Sequence, residues 1–169
     1  MKRRVAFLLL GLAALGLAVA THGAAGPGRP AGQPIAYNHR LHVKDQEISC
    51  VTCHRQVETG EEAGRPPIEV CLECHETAIT DNPEEHKIQE FAKAGTGIPW
   101  VRLTRLPSHF YFSHRRHVAV AHLACASCHG PMEERTSPPD RPLRPVRMSL
   151  CLDCHQKSGA SLDCNACHR

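Results

Sequence analysis

All ten cysteines of this 169-residue chain fall into one pattern. They occur as Cys50-Val51-Thr52-Cys53-His54, Cys71-Leu72-Glu73-Cys74-His75, Cys125-Ala126-Ser127-Cys128-His129, Cys151-Leu152-Asp153-Cys154-His155 and Cys164-Asn165-Ala166-Cys167-His168. At this composition chance supplies about 0.05 strings of the form C-x-x-C-H. The spacing fits one chemistry. Two thiols add across the two vinyl groups of a haem as thioethers, and two intervening residues let both sulfurs reach one porphyrin edge. The His directly after the second Cys then lies under the iron as proximal ligand. Zinc sites also use C-x-x-C pairs, but they do not require a His after every second Cys. An exported chain with ten Cys could hold disulfides, but disulfides impose no such spacing. The expectation is therefore five covalently bound haem c groups, with His54, His75, His129, His155 and His168 as the proximal iron ligands.

The elements that hold these motifs must be short. Thirteen Pro and twelve Gly interrupt the chain, and one Trp, two Tyr and four Phe are too few for an ordinary core of this size. The fold class expected is mostly irregular with short α-helices, built around a compact haem cluster. Burying flat apolar porphyrins would replace side-chain packing, at about 25 cal/mol per Å² of apolar surface removed from water. Without haem the chain is not expected to fold. Twenty basic and seventeen acidic residues give a net charge of +3, which offers no basis for nucleic-acid binding. Two propionates on each haem would add about ten negative charges, so an acidic holoprotein is expected despite a sequence pI of 8.4.

Eight further His remain: His22, His39, His42, His86, His109, His114, His117 and His122. Tyr37-Asn38-His39-Arg40-Leu41-His42-Val43 aligns with Phe112-Ser113-His114-Arg115-Arg116-His117-Val118 at an offset of 75, and each first His precedes a motif Cys by eleven residues. The lead-in Ile68-Glu69-Val70 to Cys71 likewise resembles Met148-Ser149-Leu150 before Cys151. The chain thus reads as two related two-haem units, about 35–80 and 110–158, plus a C-terminal haem over 159–169. The two His of H-x-x-H can each cap the open face of a different haem. Between the motifs, residues 81–95 predict a helix capped by Asp81 or Asn82, opened by Pro83 and ended by Gly95, with His86 on its solvated face. Residues 55–67 predict an exposed loop and 130–147 an irregular one. Residues 97–112 predict an extended stretch over haem edges, with Arg102 and Arg105 facing propionates.

The repeated H-x-x-H before C-x-x-C-H resembles the class III multihaem cytochromes c. Gly97-Ile98-Pro99-Trp100-Val101-Arg102, Leu106-Pro107, Phe110-Tyr111-Phe112-Ser113-His114, Arg147-Met148-Ser149-Leu150 and the terminal Asp163–Arg169 make the likeness narrower. Over about residues 33–169 the chain is similar to the pentahaem cytochrome subunit of alternative complex III and of related membrane-bound molybdopterin/iron–sulfur oxidoreductases. The resemblance implies low-spin, six-coordinate haems and electron transfer rather than enzymatic turnover. It implies that His39 and His114 cap the haems of their own units, while His42 and His117 reach other haems. One iron then takes His109 or Met148; His122 and His86 are weaker claimants, and His22 lies in the tether. The implied partners are an iron–sulfur/molybdopterin-type subunit, a quinone-binding membrane subunit or a soluble cytochrome. A freely diffusing periplasmic shuttle is the alternative, and a nitrite- or hydroxylamine-type multihaem enzyme a further one.

The N-terminus agrees with export. Met1-Lys2-Arg3-Arg4 is basic, Val5–Ala20 is apolar, and Ala18-Val19-Ala20 is a cleavage pattern. Residues 1–20 are expected to be a signal peptide or an N-terminal anchor in the inner membrane, 21–34 a flexible tether, and 35–169 a periplasmic pentahaem domain.

Overall fold

The structure, a computed structural model, describes residues 32–169; the expected leader and the tether up to residue 31 lie outside the described residues. Short helices carry the motifs. They are α1 (Cys50–Cys53), α2 (Ile68–Leu72), α3 (Pro83–Lys93), α4 (Ala126–His129), α5 (Met148–Ser158) and α6 (Cys164–Cys167). Two π-helical turns, Leu41–Asp45 and Arg116–Val120, and a 3₁₀ turn, Met132–Glu134, complete the set. The described residues contain no β-strand, only an isolated antiparallel bridge between Phe110 and His168. No helix among them is long and apolar enough to cross a membrane. The expectation of a mostly irregular chain with short helices holds.

The helical turn at each motif follows from the spacing. The His54, His75, His129 and His168 amides donate to the carbonyls of Cys50, Cys71, Cys125 and Cys164 at 2.9–3.0 Å. One such turn sets residues i and i+3 on the same face, so the two thiols of each motif share a side. The longest connecting helix, α3, has the ends its sequence predicts. The Asn82 side chain accepts from the Glu84 amide at 3.0 Å and Pro83 opens the first turn. Gly95 closes the helix at φ +64°, with its amide on Ala92 O and the Thr96 amide on Phe91 O, the double bond of a Schellman end.

The apolar core is small and one-sided. Ile35, Ile68, Ile88 and Ile98 are buried together, flanked by Cys71, Leu72, Phe91, Ala92 and Trp100. Beyond Ile98 no described side chain is buried. The Cys-rich C-terminal region therefore has no interior made of side chains.

The 75-residue offset is visible in the backbone. Gln46 N bonds Leu41 O and Ile48 N bonds His42 O; Ala121 N bonds Arg116 O and Leu123 N bonds His117 O, all at 2.9–3.0 Å. The two units also grip each other reciprocally. The Arg40 amide donates to Arg135 O at 2.9 Å and the Arg115 amide to Gly60 O at 3.0 Å, and donors and acceptors alike are 75 apart. Lys44 and Glu134 form an ion pair across the same junction. The 55–67 stretch is thus more than an exposed loop. It buries Val57 and accepts from the second unit, because the His114 and Arg115 amides need carbonyl partners there. The 130–147 stretch is irregular apart from its 3₁₀ turn.

Candidate functional site

None of the ten cysteines pairs with another in a disulfide, and the two sulfurs of each motif stay unbridged to each other. Among the described residues no three His, Cys, Asp or Glu converge as a protein-only metal site requires. The His come together in twos instead. His42 faces His75 with ring centroids 6.1 Å apart, His114 faces His129 at 6.2 Å, His117 faces His155 at 6.2 Å, and His109 faces His168 at 5.9 Å. In every pair one member belongs to a C-x-x-C-H motif. These separations are too long for ring-on-ring contact. Two imidazole nitrogens on opposite sides of one metal atom, each about 2.0 Å from it, put the centroids about 6 Å apart. The interplanar angles, from 7° to 53°, are those of rings free to rotate about a shared nitrogen–nitrogen axis. The residues present therefore fit an iron held between two imidazoles, with the porphyrin supplying the other four nitrogens.

The remaining motif His, His54, stands close to His39. Burial lowers the His39 pKa to about 4, and His54 and then His42 push it the same way. Burial also lowers the His129 value, followed by His114 and His54. These rings are neutral near pH 7, the form in which imidazole binds a metal. His39 Nδ1 is buried without a hydrogen-bond partner, whereas its repeat counterpart His114 Nδ1 donates to Glu61 O at 2.8 Å.

Most of the other rings are fixed through Nδ1, which leaves Nε2 as the ligating nitrogen. His42 donates to Asn38 O at 2.9 Å, His54 to Gly64 O at 2.9 Å, His117 to Ser113 O at 2.8 Å and His155 to Ser161 O at 2.7 Å. His75 differs, donating to the Glu85 carboxylate at 2.8 Å. An aromatic ring orients each H-x-x-H pair. Tyr37 meets His39 edge-on at 4.8 Å and stacks on His42 at 4.5 Å; Phe112 meets His114 at 4.9 Å and stacks on His117 at 4.7 Å. Neither Glu85 nor this aromatic role was read from the sequence, although Tyr37 and Phe112 align in the repeat.

The 97–112 stretch delivers His109 rather than only covering an edge. The Tyr111 amide donates to Cys167 O at 2.8 Å and the Arg169 amide to His109 O at 2.9 Å. Arg169 also caps the Tyr111 ring at 4.8 Å. Arg102 is engaged by Glu62 at 2.6 Å. Met148, the other claimant to the last iron, opens α5 with its side chain half exposed. His86 is exposed on α3, and exposed His122 sits at φ +52°.

Thiols of different motifs lie near enough to act on one another. Burial and then Cys53 push the Cys71 thiol up to about 11. Burial raises Cys50 and Cys128, with Cys125 the next cause for the first and Cys154 for the second. Cys151 is raised by burial, then by Cys128 and Cys167. Cys50 and Cys125, equivalent across the repeat, meet where the two units join.

Residues 110–169 match the family described as cytochrome c7 and related cytochrome c. The multihaem cytochrome c subunit of menaquinone reductase from Nitratidesulfovibrio vulgaris (strain Hildenborough) is 31% identical over 137 residues, which cover 80% of this chain and 51% of that protein. The chain spans about half the length of the curated relative it matches.

Proposed function

We propose that the chain is a multihaem cytochrome c of the class III type and acts as a five-haem electron conductor on the periplasmic face of a quinol-linked respiratory membrane complex; its similarity to the cytochrome c7 family and to a multihaem cytochrome c subunit supports this reading. The observation that carries this reading is the set of facing His pairs 5.9–6.2 Å apart, each with one motif His. Haem iron, when bound, supplies one-electron oxidation and reduction. The protein residues do the rest. Cys50/Cys53, Cys71/Cys74, Cys125/Cys128, Cys151/Cys154 and Cys164/Cys167 tether. His54, His75, His129, His155 and His168 ligate on one side, and His39, His42, His114, His117 and His109 on the other. Held by these imidazoles on either side, a haem iron would have no place for a substrate and would supply electron transfer, which suits conduction and not turnover. The H-x-x-H turns lock the first attachment site to the second and the third to the fourth, and the reciprocal Arg40 and Arg115 bonds join the two halves.

The basic and apolar N-terminus supports export and attachment to the inner membrane. The relative's place in a menaquinone reductase supports redox partner subunits, of which a quinone-binding membrane protein and an iron–sulfur/molybdopterin-type protein are the proposed ones. Intact mass of the native chain should exceed the mature polypeptide by five haems, and the ferric spectrum should be wholly low-spin. Co-purification from detergent-solubilised membranes should bring down the partner subunits. A mass increment of fewer haems would overturn the count, and a native chain recovered alone in the soluble periplasmic fraction would favour a diffusing shuttle.

A further inference from the structure

Among the described residues six His have Nδ1 hydrogen-bonded; five donate to a backbone carbonyl and His75 alone donates to a carboxylate. Glu85 is 9% exposed and built in from several sides. Its Oε1 also accepts from the Ile79 amide. Its Oε2 accepts from the Thr80 amide at 3.0 Å and the Thr80 hydroxyl at 2.6 Å. It occupies the first turn of α3, where the helix dipole favours negative charge. The Gln89 side chain fixes the His75 backbone by donating to its carbonyl oxygen at 2.8 Å.

Resting on the haem reading above, we infer that Glu85 sets the potential of the second attachment site by holding the Nδ1 proton of His75, making this iron the hardest of the five to reduce. A carboxylate partner draws the Nδ1 proton away from the ring and makes the ligating nitrogen a stronger donor. A stronger donor, together with a buried negative charge, stabilises the ferric over the ferrous ion. A carbonyl, being neutral, does this far less. Reduction adds one electron to the iron and the proton stays on Nδ1. Glu85 acts through His75, so it is a positioning residue.

The test is a spectroelectrochemical titration of the haem-loaded full chain, with the five haems assigned by NMR. In the unaltered protein the haem on Cys71 and Cys74 should be the last to reduce; any other order overturns the inference. Glu85→Gln, which keeps shape and loses charge, should shift that haem's ferric/ferrous equilibrium at least tenfold toward ferrous, about 59 mV for one electron, and leave the other four within a factor of three. Asn82→Ala, which removes only the α3 cap, should lower the melting temperature and leave the potential in place. Equal potentials in Glu85→Gln and the parent would reduce Glu85 to a structural clamp. Five-haem mass and a low-spin spectrum check the underlying reading separately.

Discussion

His109 faces His168 across 5.9 Å, although 59 positions separate them, because the bridge at Phe110 and the Arg169 amide on His109 O lay one segment along the other. His109→Ala should therefore open one iron and produce a high-spin component and carbon monoxide binding at about one haem in five. Met148→Ala should leave the spectrum low-spin. High-spin signal in the Met148 variant instead would reverse the assignment.

The stacked ring in each unit gives a second expectation. Phe112→Leu removes an edge-on contact with His114 and a stack on His117. Each aromatic pairing is worth about 0.5–1.5 kcal/mol beyond area burial, so the variant should melt lower. Electron paramagnetic resonance should show broadened signals at the third and fourth sites while the first and second stay sharp.

Side-chain packing is concentrated before residue 99, and Ile88 sits at its centre. Ile88→Ala should destabilise the holoprotein by about 2–5 kcal/mol. Hydrogen exchange of haem-free chain, made without export, should show no lasting protection after residue 110, where no side chain is buried. Strong protection there would mean that the C-terminal region folds without porphyrin.

Glu84 accepts from the Ala36 amide at 2.6 Å and from Lys87 Nζ at 2.6 Å, and these bonds, the amide first, hold its carboxyl below the usual range. A depressed folded value means that the stabilisation is present above the unfolded value, about 4.3, and is lost as pH falls through the folded one. The melting temperature of Glu84→Gln should trail the parent at pH 6 and approach it below pH 4. Parallel curves across that window would show that the carboxylate contributes nothing through its charge.

The haem propionates should dominate the surface charge. Isoelectric focusing of the loaded protein should place it below pH 8, under the sequence value of 8.4. Focusing above pH 8 would mean that most propionates are neutralised internally.

Local spacing carried a large part of this molecule. Two thiols at i and i+3 followed by an imidazole make their own helical turn and suit thioether attachment, so the helix-poor fold and the proposed haem sites are legible in the chain. The ends of α3 are equally local: Asn82, Pro83 and Gly95 each act within a few residues of themselves. Pairings across the chain are a different matter. That His42 meets His75, that His117 meets His155, and that His109 rather than Met148 lies opposite His168 depend on how irregular segments are laid against one another. So does the carboxylate on His75, since Glu85 reaches it only once α3 has packed its Ile88 face onto Ile35 and Ile98. Hydrophobic periodicity encodes none of this, because the contacts are made by single polar atoms and by lengths of loop. Only the closed chain brings such groups within 3 Å.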